Sequence, residues 1–405
     1  MKDLEQLILS KSRPVQKEAK RIGVSELDKL IMEALDKCKL SNRGDIAEGI
    51  VSLAIVAKFA MREEGEVGVV TPKDIEALIF SLSSTEDYVG FDKNDFGGGK
   101  VVVSGAKDTI RYNISMPAKA FADLIDPTKI HCLQGEYEGA AKYVNNTYMH
   151  KFAQRLASNQ KSNDILITGQ GTEDQKGTKV DISISVDGEK TKNLISLKTK
   201  GGSQFAQKTG KDFKVLEAFW NPLGVDISSA EEAYKTLVSQ IPAGKPFGSR
   251  AEIDEAGLLQ IAADAFDVVY TNAFSELQGK LKDGKFEEDF VQNLIKYIRA
   301  GAVGKESDVI ELVKILPGKF KRARFGPAFE KKMKEINLFP RLVRDGKYPM
   351  IKIITKDKDG KEGLLVQMRG KVERASGKSG GTKKYGVLMR NYVESGDALY
   401  DIAQV

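Results

Sequence analysis

Hydrophobic positions along the chain change their period several times, and each change predicts an element. Residues 3–37 carry apolar residues at helical spacing among many Lys and Glu, with Leu27, Leu30, Ile31 and Leu35 on one face. The next run, SNRGDIAEGIVSLAIVAKFAMREEG, has Ser41 or Asn42 as a cap and Asp45 in its first turn, and predicts a helix buried on most sides with Glu48 near its start. A short strand and a helix follow over 67–84. Alternation then takes over, and 100–104 pairs with 109–115 as a predicted hairpin. PAKAFADLI reads as a short helix. Residues 134–160 predict one long helix, because Tyr137, Ala141, Val144, Tyr148, Phe152 and Leu156 recur at spacings of three and four. Three strand-like runs come next, at 164–168, 178–186 and 193–199, separated by polar loops. FKVLEAFW, 229–241, 252–276, KDGKFEEDFVQNLIKYIRAGAVG and SDVIELVKIL all read as helical. YPMIKIIT, EGLLVQMRGKVE and YGVLMRNYV read as strands. The implied class is mixed α/β, with a boundary near 300 and a weaker one near 130. They divide the chain into a mainly helical region over 1–130, a core over 131–300 and a C-terminal α+β domain over 301–405.

Composition narrows the function classes. A hydrophobic content of 41% with 30% charged residues describes a globular chain, not a disordered one. The best apolar run, IVSLAIVAKFAM, is interrupted by Lys58 and is too short for a bilayer. The N-terminus has no uninterrupted signal core, so the expected setting is cytoplasmic, without a membrane partner. Two cysteines, Cys38 and Cys132, exclude a disulfide framework or a Cys-rich zinc site. The formal net charge of +6 is concentrated: residues 291–390 carry a net +15 and residues 1–290 a net −6. A basic segment on an acidic chain is the footprint expected of polyanion binding. Its predicted phosphate contacts are Arg322, Arg324, Lys331, Lys332, Lys371, Arg374, Lys378, Lys383 and Lys384. GGGK at 97–100 is not a phosphate loop, since Val101 stands where Ser or Thr is required.

Two ionisable residues sit inside apolar strands and need an explanation: Asp181 in KVDISISV and Lys198 in LISLKTK. By themselves they suit a cross-strand ion pair. Their order suggests more: a glutamate-bearing helix, a strand, a strand with Asp, a strand ending in Lys, then a helix. This order resembles the core of the PD-(D/E)XK, or restriction-endonuclease-like, nucleases. Asp181 matches the family's Asp, and Ser196-Leu197-Lys198 occupies its acidic-x-Lys tripeptide, which lies one hairpin later. The gap is 14 residues. The resemblance covers roughly 165–210 and implies a metal-dependent DNA endonuclease using Mg²⁺, with Mn²⁺ as a substitute, and compatible with a homodimer. The general texture also resembles phage proteins, which would place it in the host cytoplasm.

The residue types suit phosphodiester hydrolysis. Mg²⁺ is held by one or two carboxylates, with water and phosphate oxygens completing its shell. A lysine beside them orients the attacking water or neutralises charge on the phosphate. Residues 196 and 198 point to one face of a strand. The resemblance implies Gln204, in the QFAQ that follows, as a contact to water or to the DNA backbone. Two segments compete for the helix glutamate. RGDIAEG gives Glu48 and is followed by the apolar helix that such a motif precedes; Glu138, on the helix just before the strands, needs no insertion. Ser196 departs from the family, which has Asp or Glu there, and Glu217 is the expected substitute carboxylate. Two rivals stand beside the enzyme. One is a non-catalytic nucleic-acid-binding or virion-assembly protein on the same fold; the other is a structural protein in which Asp181 and Lys198 form a salt bridge.

Overall fold

The alternating runs become strands of two sheets, and helices pack around them in a mixed α/β architecture. The computed structural model describes residues 38, 40–63, 66–83, 89–92, 100–107, 110–158, 164–169, 180–187, 193–199, 204–300, 309–356, 359–379 and 382–402. The helix expected over 3–37 and the start of the strand expected over 178–186 lie outside them. Besides two short two-stranded hairpins, the strands of the two larger sheets are β1 (Val89–Asp92), β2 (Lys100–Lys107), β3 (Ile110–Pro117), β4 (Ile165–Gly169), β5 (Ile182–Val186), β6 (Asn193–Lys198), β7 (Gln204–Thr209), β8 (Val309–Leu316), β9 (Lys319–Arg324), β10 (Asn337–Asp345), β11 (Tyr348–Lys356), β12 (Glu362–Ser379) and β13 (Thr382–Ser395). One sheet has eight strands in the order β9-β8-β6-β5-β4-β3-β2-β1 and the other five, in the order β10-β11-β12-β13-β7. In the larger sheet β3–β4 and β6–β8 are parallel, and the other neighbours are antiparallel. The smaller sheet is antiparallel throughout.

Helices α1 (Arg43–Ala60), α2 (Pro72–Ser83), α3 (Ala118–Ile125), α4 (Ile130–Val144) and α5 (Thr147–Ser158) belong to the first half of the chain. The predicted burial of α1 is met: apolar residues from Ile46 to Phe59 are inaccessible around most of its circumference. It packs on α4, β3 and β4. The single helix expected over 134–160 is two. The break falls at Asn145–Asn146, where side chains take over the backbone's hydrogen bonds. Asn145 pairs with both backbone groups of Val70 (2.7 and 3.1 Å), and Asn146 Oδ1 accepts from the N–H groups of Tyr148 and Met149 (2.9 and 3.0 Å), capping α5.

The second half adds α6 (Phe213–Trp220), α7 (Glu231–Val238), α8 (Arg250–Glu255), α9 (Leu258–Gly279), α10 (Glu288–Ala300), α11 (Pro327–Glu335) and α12 (Asp397–Ile402). The five-stranded sheet lies against α9, so closely that a Cβ at Gly370 would stand 2.7 Å from the Phe266 ring. SDVIELVKIL, expected as helix, supplies β8 instead. Leu312, Val313, Ile315 and Leu316 suit either period, and β8 is covered on both faces, so its apolar residues do not alternate. This strand also revises the domain boundaries. Ser41–Val405 pack as one unit, and the larger sheet takes strands from all three expected regions, so the divisions at 130 and 300 run through one sheet. No described helix is long and apolar enough to cross a membrane.

Candidate functional site

Asp181 stands at the point where β5 begins. Its N–H donates to Ile195 O at 2.9 Å, and the register Ile182↔Ile195 continues to place it opposite Ser196. From there its side chain takes over the ladder: Oδ2 accepts from the Leu197 N–H and from Ser196 Oγ (3.1 Å). Lys198 Nζ lies 3.5 Å from the same oxygen. The hairpin register expected from the sequence is therefore present, and Asp181, Ser196 and Lys198 share one neighbourhood. Ser196 is buried, and its hydroxyl orients Asp181.

The first turn of α1 overhangs this end of the sheet. Asn42 caps the helix, accepting from Gly44 N–H at 3.0 Å and donating to Asp45 Oδ2 at 2.7 Å. Ser41 N–H donates to Asp123 Oδ2 (2.6 Å), and Arg43 pairs with the buried Glu136, which fixes the turn against α3 and α4. Ser52 Oγ would stand 3.0 Å from a Cβ at Gly169, the last residue of β4, which sets this face of α1 against that strand end; Glu48 lies one turn earlier, within electrostatic reach of Asp181. Glu48 Oε2 is buried and has no hydrogen-bond partner among the described residues. Burial first, then the negative charges of Asp181 and Asp45, push the Glu48 carboxyl well above the usual carboxylate range, while Lys198 opposes them. Burial also raises Asp45; the Asn42 hydrogen bond opposes this, and Asp181 adds to it.

Of the two competing glutamates, Glu48 is the one beside Asp181. Glu138 accepts from Gln134 Nε2 (3.1 Å) and lies over the β8–β9 turn, where its Oε2 is 3.0 Å from the Cβ position of Gly318. Glu217, on α6, acts electrostatically on Lys235, whose ammonium is held chiefly by Glu231 and least by Glu217. Gln204 opens β7, opposite Glu394, in the other sheet; its side chain is not among those described. In the sequence Asp45 reads only as a first-turn acid. The signal for more was its i, i+3 spacing from Glu48, which puts both carboxylates on one helix face.

The nine expected phosphate contacts divide. Arg322 is drawn inward, to Asn146 Oδ1 (2.9 Å), to the buried Glu311 (3.8 Å) and over the Tyr148 ring. Arg324 stacks on Tyr148 with 3.6 Å to the ring centroid, its Nη1 buried. Lys371 pairs with Glu373 (2.8 Å) and Arg374 with Asp254 (2.6 Å). Lys332 is half-buried on α11, and Lys331, exposed beside it, pairs among the described residues only with Glu335, an i, i+4 contact at 3.9 Å. Lys383 is exposed and Lys384 half-buried near the tip of the β12–β13 hairpin; the side chain of Lys378 is outside the described set.

Three carboxylates and one ammonium thus converge on one strand end. The carboxylate oxygens of Asp45, Glu48 and Asp181 do not all lie within 4.8 Å of one another. A hard divalent cation needs only one or two of them directly, because it keeps several waters. The oxygen-only donor set and the unpartnered Glu48 Oε2 fit Mg²⁺ or Mn²⁺ better than a softer metal. Compared with known family models, curated proteins and solved structures, the chain has no match.

Proposed function

We propose that the protein is a divalent-cation-dependent endonuclease of restriction-endonuclease-like type, hydrolysing phosphodiester bonds in DNA. One observation carries this reading: a buried carboxylate oxygen of Glu48 that has no hydrogen-bond partner among the described residues and lies within electrostatic reach of Asp181, Asp45 and Lys198. An unpaired buried acceptor among like charges destabilises the fold and is retained where charge compensation arrives from a ligand. Asp181 and Glu48 would hold the cation, with Asp45 adding charge from the same helix face. A bound Mg²⁺ supplies Lewis-acid polarisation of a phosphate oxygen and acidifies an attacking water. Lys198, at 3.5 Å from Asp181, orients that water and neutralises charge developing on the phosphate. Ser196 holds Asp181 in its rotamer through the 3.1 Å hydrogen bond. Arg43–Glu136 and the Asn42 cap hold the helix turn.

A second reading, a non-catalytic nucleic-acid-binding protein on the same fold, is favoured by the two hydrogen bonds that Asp181 Oδ2 already accepts, which suit a strand-end cap. Supercoiled plasmid incubated with Mg²⁺, Mn²⁺ or EDTA separates the two. Nicking that requires the metal and disappears in Asp181→Ala and Lys198→Ala supports the enzyme. Binding without nicking by the wild type supports the second reading.

A further inference from the structure

Three adjacent strands bring three lysines into one row. Lys198 on β6 is directly opposite Lys314 on β8, and Lys314 is directly opposite Lys321 on β9. Directly paired residues point to the same face, and neighbouring strands are ~4.8 Å apart, so the row crosses about 10 Å of sheet. Like charges placed directly opposite each other destabilise a sheet. An ordinary lysine-rich surface avoids that penalty by splaying its side chains into water. Here Lys198 and Lys321 are only 17% and 27% exposed, and Lys314 is half-buried. Two residues earlier on β6 and β8 and two later on β9, Ser196, Leu312 and Ala323 lie on the same face and are buried, so the row marks where that face emerges from the core. Each end has a carboxylate: Asp181 at 3.5 Å from Lys198, and Asp397 at 3.0 Å from Lys321. The middle lysine, Lys314, makes no ion pair with any described residue.

Alternation along β9 separates this row from the arginines. Arg322 and Arg324 share the face of Glu311 and are occupied by Asn146, Glu311 and Tyr148. Lys321 points to the opposite face, the one that carries Lys198.

We propose that Lys314 and Lys321, in line with Lys198, form a phosphate-binding row that holds the substrate's sugar–phosphate backbone beside the bond to be cut. This rests on the nuclease reading of Asp181 and Lys198. The row offers point charges and no planar base-reading group, so it grips DNA without regard to sequence.

The test is binding of a fluorescent DNA duplex by fluorescence anisotropy in EDTA, across a KCl series, with plasmid nicking in Mg²⁺ measured in parallel. Each phosphate contact contributes ~0.9 to the slope of log K against log salt. Lys314→Met and Lys321→Met are each expected to lower that slope by about 1 and to weaken binding by a similar factor for unrelated sequences. Lys235→Ala, which removes a lysine paired within its own helix, leaves it unchanged. Melting supplies the folding control: Lys314→Met melts at or above the wild-type temperature, because it relieves the row's repulsion. Wild-type slopes in both row variants, alongside metal-dependent nicking, would overturn the row and leave the nuclease reading standing. A lower melting temperature with an unchanged slope would make Lys314 structural and overturn it too. A wild type that neither binds nor nicks would sink both.

Discussion

Glu48→Gln is the most informative single change, because it should move stability and ligand response in opposite directions. Glu48 Oε2 is buried without a partner among the described residues, and two nearby carboxylates further disfavour its charge. Leaving such a group unpaired costs about 1–3 kcal/mol. Glutamine keeps the shape, removes the charge and brings an NH₂ that can donate to Asp181 or Asp45. At pH 7.5 in EDTA the variant should therefore gain ~1–3 kcal/mol. Unfolding entropy of ~2.1 cal/mol/K per residue gives this 405-residue chain ~0.85 kcal/mol/K, so the gain is a rise of about 1–4 °C in melting temperature. In the wild type, Mg²⁺ at a hundred times its Kd adds ~2.7 kcal/mol, or about 3 °C. Glu48→Gln should lose most of that rise. Differential scanning calorimetry in EDTA and in MgCl₂ gives both numbers from one preparation. A variant that melts below the wild type in EDTA, or that keeps the full Mg²⁺ response, refutes the view that Glu48 is a strained carboxylate awaiting a cation.

Asn146→Ala should cost about 1–2 kcal/mol in chemical denaturation, since Asn146 caps α5 and also accepts from the half-buried Arg322 at 2.9 Å. Asn146→Asp, which can still accept, should recover most of that loss. Burial raises the carboxyl of Glu311, against the pull of Arg322 and Arg324. With a folded pKa above its unfolded value near 4.3, its contribution is fully present below that pH and is lost as pH rises through the folded value. Melting curves between pH 4 and 8 should therefore show Glu311→Gln gaining on the wild type as pH rises; a difference that is flat or shrinks would contradict this.

Local sequence determined what short-range chemistry can determine. The 14 residues between Asp181 and Ser196 suit one hairpin, and the hairpin sets them opposite each other with Lys198 two residues on. The cap at Asn42 and the apolar run after it set where α1 starts, and so fixed Asp45 and Glu48 on one face. The two asparagines at 145 and 146 could have revealed the helix break; the spacing of Tyr148 and Phe152 concealed it, because their apolar stripe continues across the gap. Tertiary structure decided the remaining questions. Parallel pairing needs a long crossover, so no local signal could announce that residues 309–316 lie beside residues 193–198. Their apolar run suits a helix as well as a strand covered on both faces. Only the packing of α1 over β3 and β4 places Glu48, and not Glu138, at Asp181. Along β9, alternation shows that Lys321 and Arg322 face opposite ways, but not which of them shares a face with Lys198. The register through Lys314 settles it, because direction across a sheet is inherited strand by strand from the neighbours.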